Sequence, residues 1–190
     1  MTPIESLVSS LNLLLSQNIA DDAVLCPIIA RRLVKALRPN WLPPEARAAD
    51  NERYRRHLLF EDPAGRFSIG SFVWNPGQET PIHDHTSWGV MGVIQGRLVS
   101  ENFDLEPASG QLRLESCFVI PAGFTEWLSP ARGDIHRIAN RAKQTTAVSI
   151  HVYGAPFSSV CRTRYDSAVS ASIRFASPAP PSGQLGWSKF

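Results

Sequence analysis

Residues 77–96 read GQETPIHDHTSWGVMGVIQG, and this stretch decides the fold. His83 and His85 flank Asp84. In a β-strand, residues i and i+2 project to one face, so both imidazoles point one way and Asp84 the other. Glycines at 77, 89 and 96 punctuate the stretch, and the apolar run 90–94 reads as a strand. Of the five histidines in the chain, His136 lies in Gly133-Asp134-Ile135-His136, on another expected strand. Three imidazoles brought from two strands into a barrel make a facial metal site with open positions. Imidazole suits iron, zinc, copper and nickel alike, so the residues alone do not name the metal. An HxH pair by itself is equally a polar strand face, and its surroundings must decide.

Those surroundings are short strands and tight turns. Residues 67–74, 97–103, 111–120, 135–138 and 145–153 are further expected strands. Turn signals separate them at Asn75-Pro76-Gly77, Gln95-Gly96, 107–110, Pro121-Ala122-Gly123 and 130–133. Many short strands at close spacing argue for a sandwich or barrel. Upstream of residue 50 the texture is helical. Thr2-Pro3-Ile4-Glu5 fits a capping box with Pro at the first helical position, and Ile4, Leu7, Leu11, Leu14 and Leu15 recur at helical spacing. A second helix is expected from about Pro27 to Leu37, stopped by Trp41-Leu42-Pro43-Pro44, with a short helical turn over 44–53. The chain thus reads as a single domain over 1–190: helices to about 50, a barrel over about 54–165, and an extended Pro/Ser/Gly-rich tail at 177–190.

Composition limits the function class. The chain has 190 residues, 43% hydrophobic and 19% charged, enough for one folded domain with a core. Nineteen Lys and Arg against 17 Asp and Glu leave a net charge of +2, which gives no electrostatic case for nucleic acid or an anionic membrane. No apolar stretch approaches the ~20 residues of a membrane span, and the N-terminus has no basic leader. Cys26, Cys117 and Cys161 are odd in number and widely spaced, so a reducing, cytoplasmic setting is expected, with ordinary buried or part-buried thiols. A monomer is the default.

The histidine stretch resembles the two cupin motifs. Gly77, five residues, His83-Asp84-His85, three residues, Gly89, six residues and Gly96 fit the first, except that Gly89 stands where that motif has Glu. Gly133, His136 and Asn140 fit the second, with Pro130 one residue farther away than usual. The resemblance implies a mainly β, jelly-roll-like cupin barrel with N-terminal helices packed outside. It narrows further. Tyr54-Arg55-Arg56-His57-Leu58, Trp74, Pro81-Ile82-His83-Asp84-His85-Thr86, Gln95-Gly96, His136 and Ser149-Ile150-His151-Val152-Tyr153 are similar, in order and spacing, to the thiol dioxygenases, specifically cysteine dioxygenase type I. That family oxidises a thiol to a sulfinate with dioxygen and no external reductant. The resemblance implies Fe(II) held by His83, His85 and His136, and a small-molecule thiol and dioxygen as partners. Without the motif's Glu, the neutral three-His set leaves room for an anionic thiolate as well as dioxygen.

The remaining residues bear on catalysis and substrate. Ser149, His151 and Tyr153 share a strand face, so a hydroxyl–imidazole–phenol chain can form; core packing is the bland alternative. The resemblance makes it an outer network with the Tyr153 hydroxyl near the substrate. It also makes Arg56 the carboxylate clamp that favours cysteine, with Tyr54 beside it, since a planar guanidinium matches a carboxylate bidentately. The surroundings of His85 and His151 look more like bacterial 3-mercaptopropionate dioxygenases, whose retained arginine aligns with Arg162. Animal cysteine dioxygenases carry a Tyr-linked Cys at the position of Gly89, so Tyr153 is expected unmodified. Trp74 and Trp88 are expected as pocket wall or core, His57 as structural or exposed, and Asp84 as a second-layer or surface residue; Asp134 has no assigned role. The leading reading is an L-cysteine dioxygenase. The alternatives are a 3-mercaptopropionate dioxygenase and a non-enzymatic ligand-binding cupin.

Overall fold

The structure is a computed structural model and describes residues 1–38 and 40–165, with the backbone alone of 172–176. The expected tail at 177–190 lies outside the described residues. Two helices come first, α1 (Pro3–Leu15) and α2 (Asp22–Val34). The Thr2 capping box closes around α1: the Glu5 N–H donates to the Thr2 hydroxyl at 3.3 Å, and the Thr2 N–H donates to the Glu5 carboxylate at 2.8 Å. Helix α2 starts at Asp22 rather than at Pro27. Asp21 caps it by accepting from the Ala23 N–H at 2.8 Å, and Pro27 sits inside the helix. Burial of Leu25, Cys26 and Ile29 on both sides of Pro27 offsets the helical hydrogen bond that proline cannot make. The expected turn at 44–53 is a shorter 3-10 turn, Pro44–Arg47.

Eleven strands follow: β1 (Arg55–Glu61), β2 (Ser68–Trp74), β3 (Ile82–His83), β4 (Gly89–Gln95), β5 (Arg97–Leu105), β6 (Leu112–Pro121), β7 (Thr125–Leu128), β8 (His136–Ala139), β9 (Ala147–Tyr153), β10 (Cys161–Tyr165) and β11 (Ser172–Ala176). They form two antiparallel sheets, ordered β1-β2-β9-β4-β7 and β11-β10-β3-β8-β5-β6. Short β7 and β10 were not legible as strands, because Thr125-Glu126-Trp127-Leu128 and Cys161-Arg162-Thr163-Arg164-Tyr165 are too brief to show a period-2 pattern. No helix among the described residues is long and apolar enough to cross a membrane.

Two cores explain the strand patterns. Ile69, Val73, Val90, Ile94, Val148, Ile150 and Val152 face outward, where they pack against Leu7, Leu11, Ile29 and Leu33 of the helices. The alternate residues Phe72, Trp74, Met91, Val93 and Tyr153 face inward, where they meet Leu98, Ile120 and Ile138 of the second sheet. Both faces of β9 are therefore covered, and all seven of its residues are buried. The result is the mainly β, jelly-roll-like cupin barrel with helices packed outside. One side is less protected. Strand β6 ends its sheet among the described residues and exposes Leu114, Cys117, Phe118 and Val119. Cys117 is thus neither buried nor part-buried, because no layer among the described residues covers the outer face of β6.

Candidate metal centre

Strand β3 is only two residues long, so His85 lies just past its end rather than at the next in-strand position. His83 and His85 nonetheless converge, with ring centroids 4.8 Å apart. His136 opens β8, whose Cα pairs with that of His83, and its ring lies 4.7 Å from that of His83 and 5.1 Å from that of His85. One ligand nitrogen from each of the three lies within 4.8 Å of the others, and all three side chains are buried.

The donor set fits a divalent transition metal. Burial pushes each imidazole well below its usual pKa, with neighbouring imidazoles and the Arg162 cation adding to the shift. All three are therefore neutral, the form that offers a lone pair to a metal. The ring orientations are fixed as well. His83 Nδ1–H donates to the Pro81 carbonyl at 2.9 Å, and His85 Nδ1–H to the Asp134 carboxylate at 3.1 Å, which leaves each Nε2 free to coordinate. Asp134, given no role by the sequence, also accepts the His85 backbone N–H at 2.7 Å. Burial raises its pKa to about 6. Asp84 points away and ties the site to β10: it accepts from the Thr163 N–H at 2.6 Å and the Tyr165 hydroxyl at 2.9 Å.

On β9, Ser149, His151 and Tyr153 face the interior as one chain. The Ser149 Oγ lies 2.8 Å from His151 Nε2, and the Tyr153 oxygen lies 3.2 Å from His151 Nδ1. The Trp74 indole N–H donates to Ser149 at 3.0 Å, so Trp74 is both cavity wall and donor. Ser149 has no other acceptor among the described residues. Satisfying its O–H makes it donate to His151 Nε2, and His151 Nδ1–H then donates to Tyr153. Arg162 is also in electrostatic contact with the Tyr153 hydroxyl. The phenol proton is therefore left to point into the cavity. Burial raises the Tyr153 pKa, partly countered by Arg162, so the phenol is neutral.

The cavity is partly open to solvent. The three histidines, Tyr54, Tyr153 and Arg162 line it. Tyr54 stacks on Trp74 at 4.5 Å. Arg162, 8% exposed, sits over the Tyr153 ring at 5.4 Å. Arg56 stands outside the lining, with its guanidinium 5.9 Å from the centre of the Phe157 ring, and burial lowers its pKa. His57 is half-buried and bonds the Ala48 carbonyl at 3.0 Å. The sequence reading missed one lining residue, Glu126 on β7. Only the register of β4 against β7, which sets Met91 opposite Glu126, turns it inward.

The chain has identifiable relatives. A protein labelled cysteine dioxygenase type 1 from Danio rerio is 32% identical over 117 residues, covering 60% of this chain and 57% of that one. The human protein of the same label is 30% identical over 110 residues, covering 57% and 54%. The chain thus spans little more than half the length of these relatives. A solved structure with a double-stranded β-helix domain from Klebsiella pneumoniae superposes with a TM-score of 0.48 at 18% identity, covering 62% of this chain and 90% of that one. The profile of the cysteine dioxygenase type I family matches residues 29–168, and this chain, with its three-histidine barrel, belongs to that family.

Proposed function

We propose that the protein is a non-haem Fe(II) thiol dioxygenase that converts L-cysteine and dioxygen to cysteine sulfinate. The observation that carries this reading is the convergence of three buried, neutral imidazoles beside a buried Arg162–Tyr153 pair. Bound iron(II), held by His83, His85 and His136, supplies the redox chemistry that lets dioxygen react with a thiol sulfur. Sulfur provides the electrons and both oxygen atoms of the dioxygen end on it, so no external reductant is consumed.

The chain's own groups hold the substrate and manage protons. Arg162 takes the substrate carboxylate, and its planar fork orients the thiol towards the histidines. Tyr153, fixed by His151, Ser149 and Trp74, directs its hydroxyl proton at the reacting sulfur or oxygen. Phe72, Met91, Leu128 and Ile138 supply an apolar wall that limits water. Arg56 belongs to the layer behind, in electrostatic contact with Tyr54, Tyr153 and Arg162.

One observation favours 3-mercaptopropionate as the substrate instead: Arg162 lines the cavity and Arg56 does not. Oxygen uptake by anaerobically prepared, Fe(II)-loaded protein, offered L-cysteine and 3-mercaptopropionate in parallel with sulfinate read by mass, tests both. Uptake with sulfinate supports the dioxygenase reading, and the faster thiol names the substrate. No uptake with iron bound removes it in favour of a ligand-binding cupin.

A further inference from the structure

The connection from β7 to β8, residues 129–135, carries Asp134 and leads into His136. Its middle is exposed: Pro130–Arg132 form a single 3-10 turn and Gly133 follows. Arg132 lies over the Trp127 ring at 4.6 Å, a contact local to the segment. The residues on either side of the turn are buried and polar, Ser129 at 0% exposed and Asp134 at 6%. Asp134 is pinned to His85. Ser129 is pinned to a helix. Its hydroxyl donates to the Asp22 carboxylate at 2.6 Å and accepts the Ala131 N–H at 3.2 Å, so it both anchors the turn and caps it. Asp22 is the first residue of α2, 107 positions away in the chain.

We propose that Asp22 is a positioning residue for the metal centre, acting through Ser129 to hold the segment that presents Asp134 and His136. This rests on the metal site of the dioxygenase reading and adds the element that braces it. A short hydrogen bond to a carboxylate is among the stronger contacts a hydroxyl makes, and here the donor is wholly buried. Without the carboxylate, the Ser129 hydroxyl loses its acceptor and the start of the turn is released. Asp134, at the other end of that turn, then shifts with it, and Asp134 is what fixes the His85 ring. A ring free to sample other orientations must be ordered again when metal binds, which weakens binding. Helix α2 therefore has two tasks: its apolar face covers the barrel, and its first residue braces the histidines. The coupling is reciprocal, so iron at the histidines also tightens the Asp22–Ser129 contact. Asp21 separates the two tasks. It caps α2 by accepting the Ala23 N–H, and among the described residues its side chain bonds only within the helix.

The test measures Fe(II) affinity anaerobically, by competition with a chromogenic chelator, beside urea unfolding of the iron-free protein. The proteins are wild type, Asp22→Asn, Ser129→Ala, the double variant and Asp21→Ala. Asp22→Asn and Ser129→Ala are each expected to weaken iron binding by about fivefold to tenfold. The double variant is expected to lose no more than either alone, because both changes remove one contact. Asp21→Ala is expected to lower the urea midpoint through loss of the cap, with iron affinity kept within about twofold. Hydrogen exchange reads the converse coupling. Fe(II) is expected to slow exchange at the start of α2 in wild type and to leave it unchanged there in Ser129→Ala. Iron affinity within about twofold of wild type in either single variant, additive losses in the double variant, or an equal loss in Asp21→Ala overturns the assignment. Iron bound by wild type without oxidation of any thiol overturns the dioxygenase reading and leaves the brace standing. Wild type that holds no iron against the chelator overturns both.

Discussion

Arg162 is a buried cation that lies over the Tyr153 ring and lines the cavity. Under the proposed function its charge receives the substrate carboxylate. Lysine keeps the charge but not the fork, so Arg162→Lys is expected to raise KM for a thiol carboxylate about tenfold, with a smaller change in kcat, in steady-state oxygen uptake. Gly89 makes a second prediction. A Cβ built there lies 3.3 Å from Tyr153 Cε1, so a side chain at 89 abuts the phenol ring edge, and glycine leaves that edge bare. Intact mass spectrometry is expected to give the calculated mass, and loss of a hydrogen pair mapped to Tyr153 would show a thioether instead. At this scale the sequence was informative where chemistry resides in residue type and spacing, as in His83-Asp84-His85. It was silent where a role arises from pairing across the barrel. Asp134 gains its role only because the loop before β8 folds back on His85, and Glu126 only because β7 turns it inward.

Among the elements, the long apolar strands were legible because both faces of β2, β4 and β9 are covered, so apolar residues run along them with little interruption. Strands β7 and β10 carry two of the cavity's charged groups yet were not legible as strands, since segments of four or five residues are too short to show a periodicity. Their position is set by neighbours. The carboxylate of Asp84 grips Thr163 and Tyr165, so the strand bearing Arg162 is fastened to the end of the strand bearing His83. The loop before β8 does comparable work for His85 through Asp134. Asp134→Asn weakens that hold on the ring, and iron(II) affinity is expected to drop about 10–100-fold, read by anaerobic competition with a chromogenic chelator. Unchanged affinity would show that the carboxylate is not part of the metal's support.

The whole molecule divides its burial between an apolar layer under the helices and an interior that holds its buried histidines and Glu126. That second layer makes stability depend on pH. Glu126 has a folded pKa of about 7 against 4.5 for the free side chain, so between those values the folded chain binds more protons than the unfolded one. Its contribution is full below 4.5 and is lost as pH rises through 7. The total is on the order of 3 kcal/mol. In iron-free protein, the stability of wild type relative to Glu126→Gln is expected to fall across this window in urea titrations, and a flat difference would contradict the burial. The outer face of β6 has another consequence, set by time and air. Its thiol at Cys117 is exposed on a strand that, among the described residues, has an open hydrogen-bonding edge and apolar neighbours, which is how two copies meet in register. Aged, concentrated, unreduced preparations are therefore expected to accumulate a disulfide-linked pair on non-reducing gels. Cys117→Ser is expected to abolish that band while leaving turnover untouched, so the protein's shelf life is governed on the side of the barrel away from its chemistry.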